Sequence, residues 1–302
     1  MEIPMTDATS AVAAEAARVD WTAGRRAFLR TCGLAAAGAA ALGVAGRPTA
    51  ALAAPVSDAD VLNFALNLEY LEAEFYLRAT TGVGLDDSDT GGVGDKGGVK
   101  GGRKVKFDTK AIKLYAEEIA GDELAHVRFL RAGLGSAAVA RPQINLKGSF
   151  TAAAKAAGLV KGDQEFDAFA NETNFLLASF IFEDVGVTAY KGAAPLLTDK
   201  GLLEAAAGIL GVEAYHAGII RTLLFQMGQF EQAQAISDAR DSLDGDSNLD
   251  KGIGDKKEAD LVPTDKNGVA FSRSVPQVKA IVYLGGEAKG GFYPKGINGA
   301  FA

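Results

Sequence analysis

Gly121-Asp122-Glu123-Leu124-Ala125-His126 and Gly211-Val212-Glu213-Ala214-Tyr215-His216 hold both histidines of a 302-residue chain. Each histidine follows a glutamate by three positions, and an arginine, Arg131 or Arg221, lies five residues beyond each histidine. Positions i and i+3 of a helix share a face. One carboxylate and one imidazole from each segment can therefore reach a common point. The glycine two places before each glutamate, Gly121 or Gly211, is expected to let a neighbouring helix approach closely. The two arginines are expected to form structural ion pairs.

Outward from these segments, two more apolar stretches carry a matched pair of their own. Glu69 and Tyr76 are seven apart, two helical turns on one face, and so are Glu183 and Tyr190. The order along the chain is Glu-x6-Tyr, Glu-x-x-His, Glu-x6-Tyr, Glu-x-x-His, an internal repeat of a helix pair. The first Glu-to-Glu interval exceeds the second by about the length of the Gly-rich stretch 82–106, which reads as an insertion. Such a loop is either functional or mobile. Its Asp and Gly residues invite a calcium reading, but their spacing does not match a calcium loop.

Apolar residues recur at three- and four-residue spacing in four segments, and no alternating β pattern competes. The first helix is expected to be capped near Ser57-Asp58, with its periodic run from Val61 to Ala79. The second follows Asp108, runs to about Ala132 and stops at Gly133. The third spans about Glu165 to Tyr190, ended by Lys191-Gly192. The fourth follows Thr198-Asp199 and runs to about Met227, stopped by Gly228. The connection 134–164 is long enough to cross a bundle and should hold a short helix near Phe150–Ala157. Short helices are also expected at Phe230–Asp241 and Ser274–Leu284, the latter with a Ser cap and an early Pro276. The fold class is all-α: a four-helix bundle with a long crossover connection and extra C-terminal helices and loops. The domain reading is residues 1–53 as an export signal, 54–230 as the bundle, and 231–302 as an extension packed on it.

Glu69, Glu123, His126, Glu183, Glu213 and His216 together offer four carboxylates and two imidazoles. Hard oxygen donors with two borderline nitrogens suit Fe or Mn. Four buried glutamates repel one another unless cations balance them, and two divalent ions match four carboxylates in formal charge. One Glu from each of two helices and Glu-x-x-His from each of the other two is the composition of di-metal helix bundles. The competing reading is a satisfied polar core without metal, or two surface histidines; it leaves Glu183 unexplained in the apolar run Leu176-Leu177-Ala178-Ser179-Phe180-Ile181-Phe182. Glu72, one turn after Glu69, is an alternative ligand to it, with Glu69 favoured by its spacing to Tyr76. Glu117, Glu118 and Glu172 read as solvated helix-face charges. Tyr76 and Tyr190 read as hydrogen-bond partners of the ligands or as plain core, rather than as redox residues.

With these motifs the chain resembles the ferritin-like superfamily over about residues 57–228. That resemblance implies single-Glu ligands at Glu69 and Glu183 and paired ligands at Glu123, His126, Glu213 and His216. The run Leu62-Asn63-Phe64-Ala65-Leu66-Asn67-Leu68-Glu69-Tyr70-Leu71-Glu72-Ala73-Glu74-Phe75-Tyr76 is similar to desiccation-related ferritin-like proteins. So are Ile281-Val282-Tyr283 and Gly291-Phe292-Tyr293-Pro294-Lys295-Gly296-Ile297-Asn298-Gly299.

Composition bounds the rest. The chain is 48% hydrophobic, 23% charged and net −7, ordinary for a globular protein and unsuited to neutralising nucleic-acid phosphates. Gly24-Arg25-Arg26-Ala27-Phe28-Leu29-Arg30, an apolar stretch and Ala51-Leu52-Ala53 follow the order of an export signal and resemble the twin-arginine type. The expected location is therefore periplasmic or extracellular, with no stable membrane span after cleavage. The lone cysteine, Cys32, lies inside that segment, so thiols are no part of the expected metal site. Three functions fit: redox chemistry on peroxide or O2, a stress-protective role with structural metals, and iron storage in a cage. The long loop and polar tail weigh against the cage, while a homo-oligomer is compatible with the sequence.

Overall fold

The computed structural model describes residues 55–302; the export-signal reading and Cys32 lie outside the described residues. Four long helices form the body: α1 (Asp58–Thr81), α2 (Lys110–Leu134), α4 (Glu172–Ala193) and α5 (Lys200–Gln226). Shorter helices are α3 (Gly148–Ala156), α6 (Phe230–Asp241) and α7 (Val275–Val282). Extended structure is confined to two two-residue strands, β1 (Val99–Lys100) and β2 (Ile144–Asn145), paired in parallel. The fold is the expected all-α bundle with extra helices.

Helix α1 packs chiefly on α2, and α4 on α5; the pairs meet through α1–α4 and α2–α5. Helices α1 and α4 are buried almost all round from Val61 to Tyr76 and from Phe175 to Tyr190. Their outer faces are covered by the crossover and the C-terminal extension: Phe292 packs edge-on against Phe150 and Phe182, and the Tyr293 hydroxyl donates to the Asn67 carbonyl at 2.6 Å. This coverage is why both helices are buried on every face. Helix α5 alone among the described helices is long and apolar enough to cross a membrane, and here it closes the bundle.

The helix starts follow local chemistry and the repeat. Ser57, in the expected cap region, forms a reciprocal capping box with Asp60 on α1. Asp58, the first residue of α1, accepts from the Thr198 and Asp199 amides that lead into α5, at 2.8 and 2.9 Å. Glu172, the first residue of α4, does the same for Asp108 and Thr109 ahead of α2, at 3.0 and 2.8 Å. Glu172 is thus not the free surface charge expected of it, but the repeat partner of Asp58. The third long helix begins at Glu172 rather than near Glu165. Asn171 caps it through the Asn174 amide at 2.9 Å, while Asp167 turns the preceding chain by accepting from the Phe169 amide. Gly133, expected to stop α2, lies inside it, and Gly135 (φ +56) ends it. Gly192, expected to end α4, lies inside it, at a position where a side chain would strike the Arg273 backbone.

The Gly-rich insertion is clamped. Val93 pairs with Val139, the Gly97 amide donates to the Arg141 carbonyl, and Asn298 reaches the Asp95 backbone from the far end of the chain. The extension is tied down by a buried ionic chain. Arg221 Nη1 meets Asp184 Oδ2 at 2.7 Å, and Arg240 bridges Asp184 to Asp250. Arg273 then joins Asp250 to Asp244. The expected ion pair at Arg221 is present. At Arg131 it is not: that guanidinium donates to the Tyr70 hydroxyl and the Gly91 carbonyl, both neutral. Tyr70 and Asp184 are repeat-equivalent, so one geometry is served by two chemistries.

Candidate metal centre

Six side chains from the four long helices meet at the middle of the bundle. His126 and His216 are both buried, with ring centroids 6.4 Å apart. Glu69, Glu123, Glu183 and Glu213 are completely buried. The donors fall into two groups, each with one ligand atom per residue and all those atoms within 4.8 Å of one another. The first is Glu69, Glu123, His126 and Glu213; the second is Glu123, Glu183 and His216. Glu123 belongs to both.

The imidazoles turn the same nitrogen inward. His126 Nδ1 lies 3.2 Å from Glu69 Oε2 and 3.7 Å from both Glu123 Oε2 and Glu213 Oε1. His216 Nδ1 lies 3.1 Å from Glu123 Oε1 and 3.5 Å from Glu183 Oε2. Despite this crowding, both oxygens of Glu123 and of Glu213, Glu183 Oε2 and His216 Nδ1 are buried without a hydrogen-bond partner. Buried polar atoms are nearly always satisfied. Lone pairs converging from three or four residues and bonded to nothing are the arrangement that a cation completes, and this donor set fits a metal.

Two tyrosines hold the other side of the carboxylates. The Tyr76 hydroxyl of α1 donates to Glu183 Oε1 on α4, and the Tyr190 hydroxyl of α4 donates to Glu69 Oε1 on α1. The seven-residue spacing on one helix therefore marks the right residues for another reason: each tyrosine serves the glutamate of the repeat-related helix. Burial, and then the adjoining carboxylate, raises both phenols well above their usual range, so they remain donors. Each fixes one oxygen and leaves the other, Glu183 Oε2 or Glu69 Oε2, facing the imidazoles.

The electrostatics register a surplus of negative charge. Burial pushes Glu69 up to about 7, with His126 offsetting part of the rise. Burial also raises Glu183, and it drives Glu213 well up with help from Glu72 and Glu123. Glu123 alone falls below the carboxylate range, because both imidazoles outweigh the upward push of its burial. His126 is carried up to about 12 against its burial, by Glu69 and Glu123; Glu183, Asp122 and Glu123 raise His216 likewise. A multivalent cation relieves the same repulsion.

Reading the motifs alone misses Asp122. Its Oδ2 lies 3.1 Å from His216 Nε2, the ring nitrogen that faces away from the cluster. A carboxylate there holds the proton on Nε2 and leaves the Nδ1 lone pair free. Its signal was only its place beside Glu123, where a solvent-facing charge is equally at home. The repeat-equivalent residue is Val212, so His126 lacks this support. Asp122→Asn is expected to weaken metal uptake at the His216 group by about 10–100-fold and to leave the His126 group unchanged, as read by calorimetric titration. Gly121 and Gly211 also correct an expectation. A Cβ at either would meet nothing, so they do not mediate close helix approach. The close glycine is Gly186, where a Cβ would lie 2.3 Å from Glu213 Oε2.

The chain is 32% identical over 246 residues to a desiccation-related protein of Craterostigma plantagineum, covering 73% of this chain and 75% of that one. It is 27% identical over 271 residues to a ferritin-like catalase of Nesocodon mauritianus, covering 82% and 85%. No solved structure gives a significant match. The ferritin-like domain family matches residues 57–226, the span that carries all six cluster residues. The chain belongs to the ferritin-like domain family.

Proposed function

We propose that this protein is an exported di-metal carboxylate protein acting on peroxide or O2, and so limiting oxidative damage during desiccation or other oxidative stress. The observation that carries the reading is the set of buried, unbonded donor atoms divided into two groups that share Glu123. Glu69, Glu123, His126 and Glu213 would hold one divalent ion, and Glu123, Glu183 and His216 the other, each Fe or Mn. When bound, such a pair supplies reversible electron transfer to and from a small oxidant. The chain contributes positioning: Tyr76 and Tyr190 orient the single-Glu ligands, Asp122 sets the His216 tautomer, and apolar packing around the cluster limits water. The relative described as a ferritin-like catalase supports peroxide as substrate. The twin-arginine pattern at Arg25-Arg26 supports export to the periplasm or beyond, by a route suited to a folded, metal-loaded protein.

A second reading has an observation of its own. Fully buried glutamates, raised by burial and further by neighbouring carboxylates, make metal binding a source of fold stability whether or not turnover occurs. The relative described as desiccation-related suits a protective role of that kind. Protein purified from its natural compartment is expected to contain Fe or Mn and to release oxygen from hydrogen peroxide. Absence of oxygen release with either metal loaded would remove the peroxide reading, and absence of O2 consumption with Fe(II) as well would leave the structural one.

A further inference from the structure

One side of the bundle is bare. The crossover and the extension cover α1 and α4, whereas α2 and α5 turn their outer faces to solvent. Helix α5 is apolar enough to span a membrane, yet the stretch that makes it so is only 33% buried. Leu203, Ala207, Gly211 and Tyr215, at four-residue spacing, run along its outer side. Tyr215 is 77% exposed. With Gly211, Gly218, Tyr115 of α2 and Val262 of the extension it lines a groove of about 830 Å³, and no residue lining that groove is charged. Gly208, Gly211 and Gly218 lie inside α5, and Gly121 lies inside α2. A glycine inside a helix costs about 1 kcal/mol relative to alanine. A Cβ at any of these four would meet nothing in the chain, so packing within one copy does not account for them. They leave a low strip on which another surface can close.

The strip and the ring that protrudes beside it belong to one helix, and that favours a second copy as the occupant. Under a two-fold axis, Tyr215 of each copy would seat over Gly211 and Gly218 of the other, which is the reciprocity a self-complementary contact needs. The size fits as well. Helix α5 has 27 residues, so it is about 40 Å long at 1.5 Å per residue. Two helices packed about 8–10 Å apart present a face about 20 Å wide. The resulting area, about 800 Å², is what each partner buries in a standard stable interface. The exposed acids Glu117, Glu118 and Glu204 are interspersed with the bases of the two helices. The face therefore lacks the basic stripe that holds a protein to an anionic membrane.

We propose that the α2–α5 face is the interface of a homodimer, closed by Tyr215 of each copy against Gly211 and Gly218 of the other. The same face carries Asp122, whose side chain is 44% exposed, so pairing also takes the outer partner of His216 out of solvent. The test is sedimentation equilibrium of the protein purified from its natural compartment, for wild type, Gly211→Arg and Tyr215→Glu. Both positions are free of contacts that the fold depends on, and circular-dichroism melts are expected to show folded bundles. Wild type is expected to be dimeric at micromolar concentration. Each variant is expected to raise the dissociation constant by about 30-fold or more, the loss typical of an interface hot spot. A wild type that stays monomeric up to about 100 µM overturns the proposal, and its binding to vesicles of anionic phospholipid would make the face a membrane contact instead. A dimer that either folded variant leaves at wild-type affinity overturns it too, because the copies would then meet through another face.

Discussion

Replacing Glu123 with Ala is expected to lower the affinity for both ions by more than about 100-fold, beyond the 10–100-fold range typical of losing an outer hydrogen-bond partner. The reason is position. Glu123 is the one residue common to both donor groups, with Oε1 3.1 Å from His216 Nδ1 and Oε2 3.7 Å from His126 Nδ1. Without it, the second group is reduced to Glu183 and His216. The same change takes a buried partner from both imidazoles and should cost the metal-free bundle some stability, so a circular-dichroism melt is needed to separate loss of site from loss of fold. By contrast, Glu183→Ala with His216→Ala should empty one position and leave the Glu69, Glu123, His126, Glu213 group able to take up one ion. Two tightly bound ions in Glu123→Ala would refute the shared-ligand geometry.

The second large effect lies away from the metals. Arg221→Ala should destabilise the protein by about 3–5 kcal/mol, the range for breaking a buried ion pair from one side. Arg221 is completely buried. It binds Asp184 and also donates to the backbone carbonyls of Lys251, Gly252, Asp260 and Leu261. Its loss leaves Asp184 with Arg240 as its remaining cation, strips several carbonyl acceptors of their donor, and releases the loop that ties the extension to α4 and α5. Urea unfolding is the measurement; a loss under about 1 kcal/mol would mean that the ionic chain is solvated and of little consequence.

These two effects differ in how visible they were in the chain. Both histidines fall in Glu-x-x-His units, and that spacing points to His126, His216, Glu123 and Glu213 because i,i+3 geometry is local. The Ser57 cap and the Phe230–Asp241 helix follow from neighbouring residues in the same way. What the spacing did not reveal was cross-helix pairing. Tyr76 was matched to Glu69 on its own helix, whereas its hydroxyl serves Glu183; only the assembled bundle brings those atoms together. Glu172 looked like a solvated charge because its acceptors, the amides before α2, are remote in sequence. The Arg240–Asp250–Arg273 chain was hidden for the same reason, since polar residues in a Gly-rich tail look like surface. Gly121 and Gly211 misled through regularity: they repeat with the motif, yet no neighbour presses on them.

The most direct test of the two-ion centre is an anomalous-scattering map from crystals of the protein purified from its natural compartment, with metal quantified in the same sample. Two peaks of Fe or Mn inside the bundle are predicted, one among Glu69, Glu123, His126 and Glu213 and one among Glu123, Glu183 and His216. Metal-loaded crystals with no anomalous density between the four long helices would contradict the account.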